Sequence, residues 1–499
     1  MNRNRRNSAW LSGQHLVFMA LSLINLKLNL ATFGRGAFDL WLLLTSIWGV
    51  GSVLDFGFGI AIVSLVARGR SQNDWRLVAN VASTGLAVFV GVGLLLVLAG
   101  NGVARAWYFT NPQLVPPTQA ASAVIVFTFL GVNFFFQYLS VFFRALVEGT
   151  EDFVGSSKVA MLNSGLVTLG VLLVYVFGLS MVWLAILYAA AAAVQALAFA
   201  LLARRRLPEA RFSVSHLRVE VLGRLLGAGM AVQVTVLLGA LIDPAIKYVL
   251  GTSGSRGTVS VYEIARRFSL AISGLFATAF RTHLPKTSVL TTVSEYRRYL
   301  TTEGSRLVSA GVTYAAIAFG PLSILLVVLM VYFYASADSV LLFFVLAFAE
   351  TINIAGYVGY VFLVGTGRAS VVAVVQGVNL LLTAISLSVG YQVFGTPIGL
   401  LGYGLAVCIG NALMLAVIRR VSGVQVREFV GRPQLMRLMV LVVLLLINVA
   451  LVAAVGVPLI FYQAGFAVVM AVIFRSDVMV VLGLVRTSLG YQAKQVGGS

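Results

Sequence analysis

Runs of 18 or more mostly apolar residues recur from one end of this chain to the other, each long enough to cross a bilayer core as a helix. Nothing else restricts its possible folds as strongly. In lipid the backbone must satisfy its own N–H and C=O groups, so only helices and closed β-barrels span. Barrel strands alternate in polarity over about ten residues, and these runs do not. Composition excludes a water-soluble fold: 60% of the 499 residues are hydrophobic and 10% charged, against about 25% charged in soluble domains. The expected class is an all-α, polytopic membrane protein with about 14 transmembrane helices.

Spans are expected at 10–33, 38–66, 80–104, 121–147, 155–178, 180–203, 223–250, 259–283, 307–334, 338–364, 370–394, 397–418, 436–456 and 458–474. The longest polar connections, 204–222 and 284–306, have room for interfacial amphipathic helices and nothing larger. Arg3, Arg5 and Arg6 precede the first apolar run as in a signal peptide. That run is too long and lacks a small-residue cleavage site, so it reads as an uncleaved first helix.

The basic residues sort by side. With the N-terminus in the cytoplasm, 28 of the 35 Lys and Arg fall in cytoplasmic segments and four (Arg35, Arg105, Lys247, Arg256) opposite. Lys27, Arg266 and Arg267 fall within spans. This positive-inside asymmetry places both termini in the cytoplasm. It also accounts for the net charge of +19 without nucleic acid. The single cysteine, Cys408, lies in an apolar run and reads as packing.

Segments 146–206 and 363–420 share landmarks. In each, Gly-Thr is followed thirteen residues later by Asn (Thr150 to Asn163, Thr366 to Asn379), then by Val-Phe-Gly and a closing Arg cluster. The offset, 216 or 217 residues, corresponds to six helices. An even number makes the halves parallel repeats, related by an axis along the membrane normal. The expected organisation is a six-helix lobe over 1–206, a cytoplasmic linker over 207–222, a second six-helix lobe over 223–420, and two additional helices over 434–486. Paired halves of this kind are typical of secondary transporters.

Signatures of catalysis are missing. His15, His216 and His283 lack a metal-ligand spacing, and the chain has no phosphate loop and no nucleophile elbow. No catalytic residue, metal or cofactor is expected. What remains is charge at membrane depth, which costs at least about 2.5–3.5 kcal/mol and so faces a cavity or a partner. The candidates are Lys27 in helix one, Asp39 and Asp55 in helix two, Asp243 and Lys247 in helix seven, Glu263, Arg266 and Arg267 in helix eight, and Glu350 in helix ten. All but Glu350 fall in equivalent helices of the two halves, the pattern a cavity between lobes would produce. Plainer roles compete. Asp39, Lys247 and Glu263 lie near span ends and can snorkel. Lys27 can pair with Asp39 or Asp55, Asp55 can fix a bend of helix two, and Glu350 is either a structural partner or a proton or ion site. Pro244, after Asp243, marks a kink.

At these residues the chain resembles the polysaccharide transporters of the multidrug/oligosaccharidyl-lipid/polysaccharide flippase superfamily, the Wzx-type flippases. The resemblance rests on VLDFGFGIAIVSLVAR (53–68), FFRALVEGTEDF (142–153) and VYEIARRFSLAISGLFATAFRTHLPKTS (261–288). It implies alternating-access flipping of an undecaprenyl-diphosphate-linked oligosaccharide across the bacterial cytoplasmic membrane, for surface polysaccharide synthesis. Cations lining the cavity would be Lys27, Arg266, Arg267 and Lys247, with Asp39, Asp55, Asp243, Glu263 and Glu350 as acidic or coupling candidates. The implied partners are the lipid-linked glycan, membrane lipid and other polysaccharide-assembly membrane proteins, for a chain acting as a monomer. Rival readings are a multidrug or small-cation exporter of the same superfamily, its peptidoglycan-precursor flippase, and a membrane glycosyltransferase or polymerase. The surplus of Lys and Arg argues against the exporter, and the lack of sizeable loops argues against the transferase.

Overall fold

The computed structural model describes residues 3–51, 58–108, 115, 117–208, 212–227, 230–254, 257–281, 283, 287, 290–334, 338–394, 399–455, 459–475 and 479. Asp55 lies outside the described residues. Among those described the structure is helical, without strands. Nine helices are long and apolar enough to cross a membrane, or ten if one bent pair counts as a span. The chain is a multi-pass membrane protein, and it divides into two compact units, Met1–Ser260 and Val261–Ser499.

The first unit opens with α1 (Arg3–Gly51), where the two expected helices meet at Gly34. Gly34 has φ 68° and ψ 170°, a backbone region essentially reserved for glycine. There follow α2 (Phe58–Ser71), α3 (Trp75–Val103), α4 (Ala120–Glu148), α5 (Phe153–Phe177), α6 (Met181–Arg206), α7 (Val219–Gly227) and α8 (Met230–Ser253). Asp74 and Asp152 start α3 and α5 by accepting the N–H of Leu77 and Gly155, both at 2.9 Å. The core is aromatic. Trp48 of α1 lies 4.9 Å from Phe127 and 5.3 Å from Phe134 between ring centroids, both on α4. Gly100 and Gly131 make room for that indole: a Cβ at either would stand 2.8 or 3.0 Å from its ring. The segment 223–250, expected as one span, is α7 followed by α8, which packs on α1.

The second unit contains α9 (Thr258–Arg281, beginning just before the boundary), α10 (Val293–Tyr299), α11 (Ser305–Phe319), α12 (Ser323–Val328), α13 (Asp338–Gly365), α14 (Ala369–Phe394), α15 (Leu401–Ser422), α16 (Val426–Phe429), α17 (Arg432–Val455) and α18 (Leu459–Ile473). α13 is its centre, with 89% of its apolar stretch buried. A helix enclosed on all sides must be largely apolar all round, and between Val340 and Gly365 the one charged residue of α13 is Glu350. Small residues admit its neighbours: Gly404 of α15 lies against the Phe348 ring. Between α17 and α18, Gln463 Nε2 donates to Asn448 Oδ1 at 3.1 Å, and both residues are fully buried. The span expected over 307–334 is bent by 44° after Phe319. Pro321 is the cause, since it removes a backbone donor and pushes Gly320 out of the helical region.

The repeat is visible in element lengths. Shifted by 216 residues, α4, α5 and α6 become 336–364, 369–393 and 397–422, against α13 at Asp338–Gly365, α14 at Ala369–Phe394 and α15 at Leu401–Ser422. Repeat and packing divide the chain differently, because α8 belongs to the second half by order and to the first unit by contact.

Candidate functional site

Three of the four basic candidates stand beside carboxylates. On α8, Lys247 Nζ lies 2.9 Å from Asp243 Oδ2. On α9, Arg267 Nε lies 2.7 Å from Glu263 Oε1. Both pairs are four residues apart, the spacing that stacks side chains on one helix face. The third pair joins two helices: Arg266 Nη1 of α9 is 4.0 Å from Glu350 Oε1 of α13. Glu350 Oε2 is buried without a hydrogen-bond partner. Adjacent helical residues diverge by about 100°, so Arg266 and Arg267 serve different partners.

Each pair joins a buried member to a more exposed one. The Lys247 side chain is 8% exposed and that of Glu350 6%, whereas Arg267 retains 29% and Asp243 26%. Lys247 and Glu263 are buried rather than snorkelled. Pro244 sits within α8 next to the Asp243–Lys247 pair. Charge at these positions is compensated within the chain.

Asp39 has a different setting. It accepts N–H groups from Gly257 at 2.6 Å and Ser260 at 2.7 Å, and also the Ser260 hydroxyl. Its carboxylate thus satisfies backbone donors at the start of α9, the work of an N-cap supplied from another helix.

Lys27 is half-buried on α1, and its neighbours Asn25 and Asn29 are buried. The Oδ1 atoms of both asparagines have no hydrogen-bond partner. One turn apart, they share a face, and Lys27 projects from nearly the opposite side. The sequence reading passed over this pair, although two Asn at a four-residue spacing in an apolar helix is a readable signal. No group of three or more His, Cys, Asp or Glu side chains able to hold a metal ion occurs among the described residues.

With this geometry in hand, the fold can be compared with solved structures. An inward-facing multidrug resistance MATE family transporter of the MOP superfamily superposes with a TM-score of 0.59 at 14% identity, over 86% of this chain and 95% of its own. The lipid II flippase MurJ, in an inward closed conformation, gives 0.60 at 13% identity, over 95% and 99%. A MOP superfamily transporter from Pyrococcus furiosus Vc1, described by a binding pocket of reversed polarity, gives 0.59 at 16% identity, over 87% and 96%. No protein-family model matches the chain, and no curated protein matches it. The chain shares its fold with these three transporters over 86–95% of its length.

Proposed function

We propose that this protein is a flippase of the Wzx type, carrying an undecaprenyl-diphosphate-linked oligosaccharide across the bacterial cytoplasmic membrane by alternating access. Its support is the set of basic side chains paired with carboxylates on α8, α9 and α13, in a fold shared with a lipid II flippase. A buried cation without a counter-charge is costly. Carboxylates supply that charge in the empty state, and a diphosphate supplies it in the loaded one. Arg267 is the foremost ligand in this reading, because it is partly exposed and its planar fork gives two bonds to phosphate oxygens. Arg266, Lys27 and Lys247 complete the cationic set in this reading. Asp243, Glu263 and Glu350 hold the cations between transport cycles.

A second reading, export of organic cations, draws on those same carboxylates and on the MATE fold. Binding separates the two. Purified protein should bind undecaprenyl diphosphate, and Arg267→Gln should weaken it by roughly ten- to a hundredfold, as expected for one charge-assisted contact. In cells the same variant should stall glycan export, with lipid-linked precursor accumulating at normal protein level. Undiminished export by Ala variants of Lys27, Arg266 and Arg267 would refute the site. Binding of organic cations with indifference to prenyl diphosphates would establish the exporter instead.

A further inference from the structure

The duplicated corner formed by the α4–α5 turn and the end of α6 has changed its electrostatics in the second half. In the first half two of its arginines are paired within the corner, Arg144 with Glu148 at 2.6 Å and Arg206 with Asp152 at 2.7 Å. At the 216-residue offset, Glu148, Glu151 and Asp152 become Val364, Gly367 and Arg368. The carboxylates are gone; Arg144, Arg205 and Arg206 give way to Tyr360, Val421 and Ser422, while Arg368 and Arg419 are new cations. Arg419 and Arg420, which close α15, are exposed and form no ion pair among the described residues. Glu428, the first carboxylate after them, is held by Arg297 at 3.1 Å. Arg368, at the same end of the α14–α15 hairpin, lies over the Tyr296 ring at 5.5 Å, and its Nη1 is buried without a hydrogen-bond partner.

A groove runs into this basic corner. It has a volume of about 630 Å³ and is lined by Ala412, Leu415, Ala416, Arg419 and Arg420. It is an open groove rather than an enclosed cavity, and its described lining belongs to α15. The exposed apolar residues Leu405, Ile409 and Leu413 continue the same face along the helix. From Leu405 to Arg419 the rise is about 21 Å, enough to follow a chain through one leaflet of a core about 30 Å thick.

We propose that this groove is a binding site for an anionic membrane phospholipid. Its phosphate sits between Arg419 and Arg420 and an acyl chain lies over Ala412 and Ala416. Charge selects the occupant: two exposed arginines without a carboxylate favour an anionic head group over a zwitterionic one. The small alanines leave the space that the chain fills. The proposal does not depend on what the transporter carries.

Native mass spectrometry of the purified full-length protein tests this, with phosphatidylglycerol, phosphatidylcholine and undecaprenyl diphosphate as probes. The wild type should retain phosphatidylglycerol in preference to phosphatidylcholine. Arg419→Gln with Arg420→Gln should lose roughly ten- to thirtyfold in that affinity, and Lys at both positions should restore most of it. Ala416→Trp should fill the groove and abolish retention with both arginines in place. Equal retention by the double Gln variant, or equal binding of both phospholipids, would overturn the proposal. Displacement of phosphatidylglycerol by equimolar undecaprenyl diphosphate would overturn it as well, by making the groove part of the substrate path.

Discussion

At the scale of single residues, the Arg266–Glu350 pair carries the sharpest energetic consequence. Removing one member of a buried pair strands the other charge and costs about 3–5 kcal/mol, while replacing both with apolar groups is often neutral. Arg266→Ala should therefore lower the stability of the purified protein by about 3 kcal/mol, the low end of that range, because Arg266 is 17% exposed. Arg266→Met with Glu350→Leu should recover most of the loss in thermal unfolding. If the pair binds diphosphate, this double variant stays inactive although stable; full export would make the pair structural only. The two pairs at four-residue spacing, Asp243–Lys247 and Glu263–Arg267, could be read directly from the sequence, since helix geometry fixes such neighbours. The third could not. Its members stand 84 positions apart, and only the packing of α9 against α13 brings them together. Asp39 was legible as a buried charge but not as a cap, because its partners are backbone groups more than 200 residues away.

Among the elements, placement of the helices was the most legible feature, since apolar run length decides it. Breaks were less so. The gap expected between 33 and 38 is a single glycine, Gly34, while the bend at Pro321 fell inside what read as one span. Length and hydropathy do not register a local backbone angle. Gly34 offers a clean test, because nothing lies within 4 Å of where its Cβ would stand. Gly34→Ala meets no clash and bears only the cost of its backbone angles, about 1–3 kcal/mol. Thermal unfolding in detergent should fall accordingly. An unchanged midpoint would mean that the break relaxes into ordinary helical geometry.

For the whole molecule, the repeat explains why sequence revealed so much of the architecture. The turn after α4 recurs at the offset, with positive φ at Glu151 and Gly367, and α4 to α6 reappear as α13 to α15 within a few residues. Charge diverged where shape did not, and that divergence is what the sequence pattern alone left unread. Orientation in the membrane follows from the same distribution. A 28-to-4 split of Lys and Arg would be lost if one helix were missed near the middle, because every later connection would change side. The segment after α6 should thus be cytoplasmic and the connection at Asn111 external. With Cys408 replaced, single cysteines at Ser215, which is exposed, and at Asn111 can be probed in intact cells with a membrane-impermeant thiol reagent. Position 111 should label and position 215 only after permeabilisation. The reverse pattern would invert the whole topology, and with it the leaflet in which Arg419 and Arg420 meet lipid.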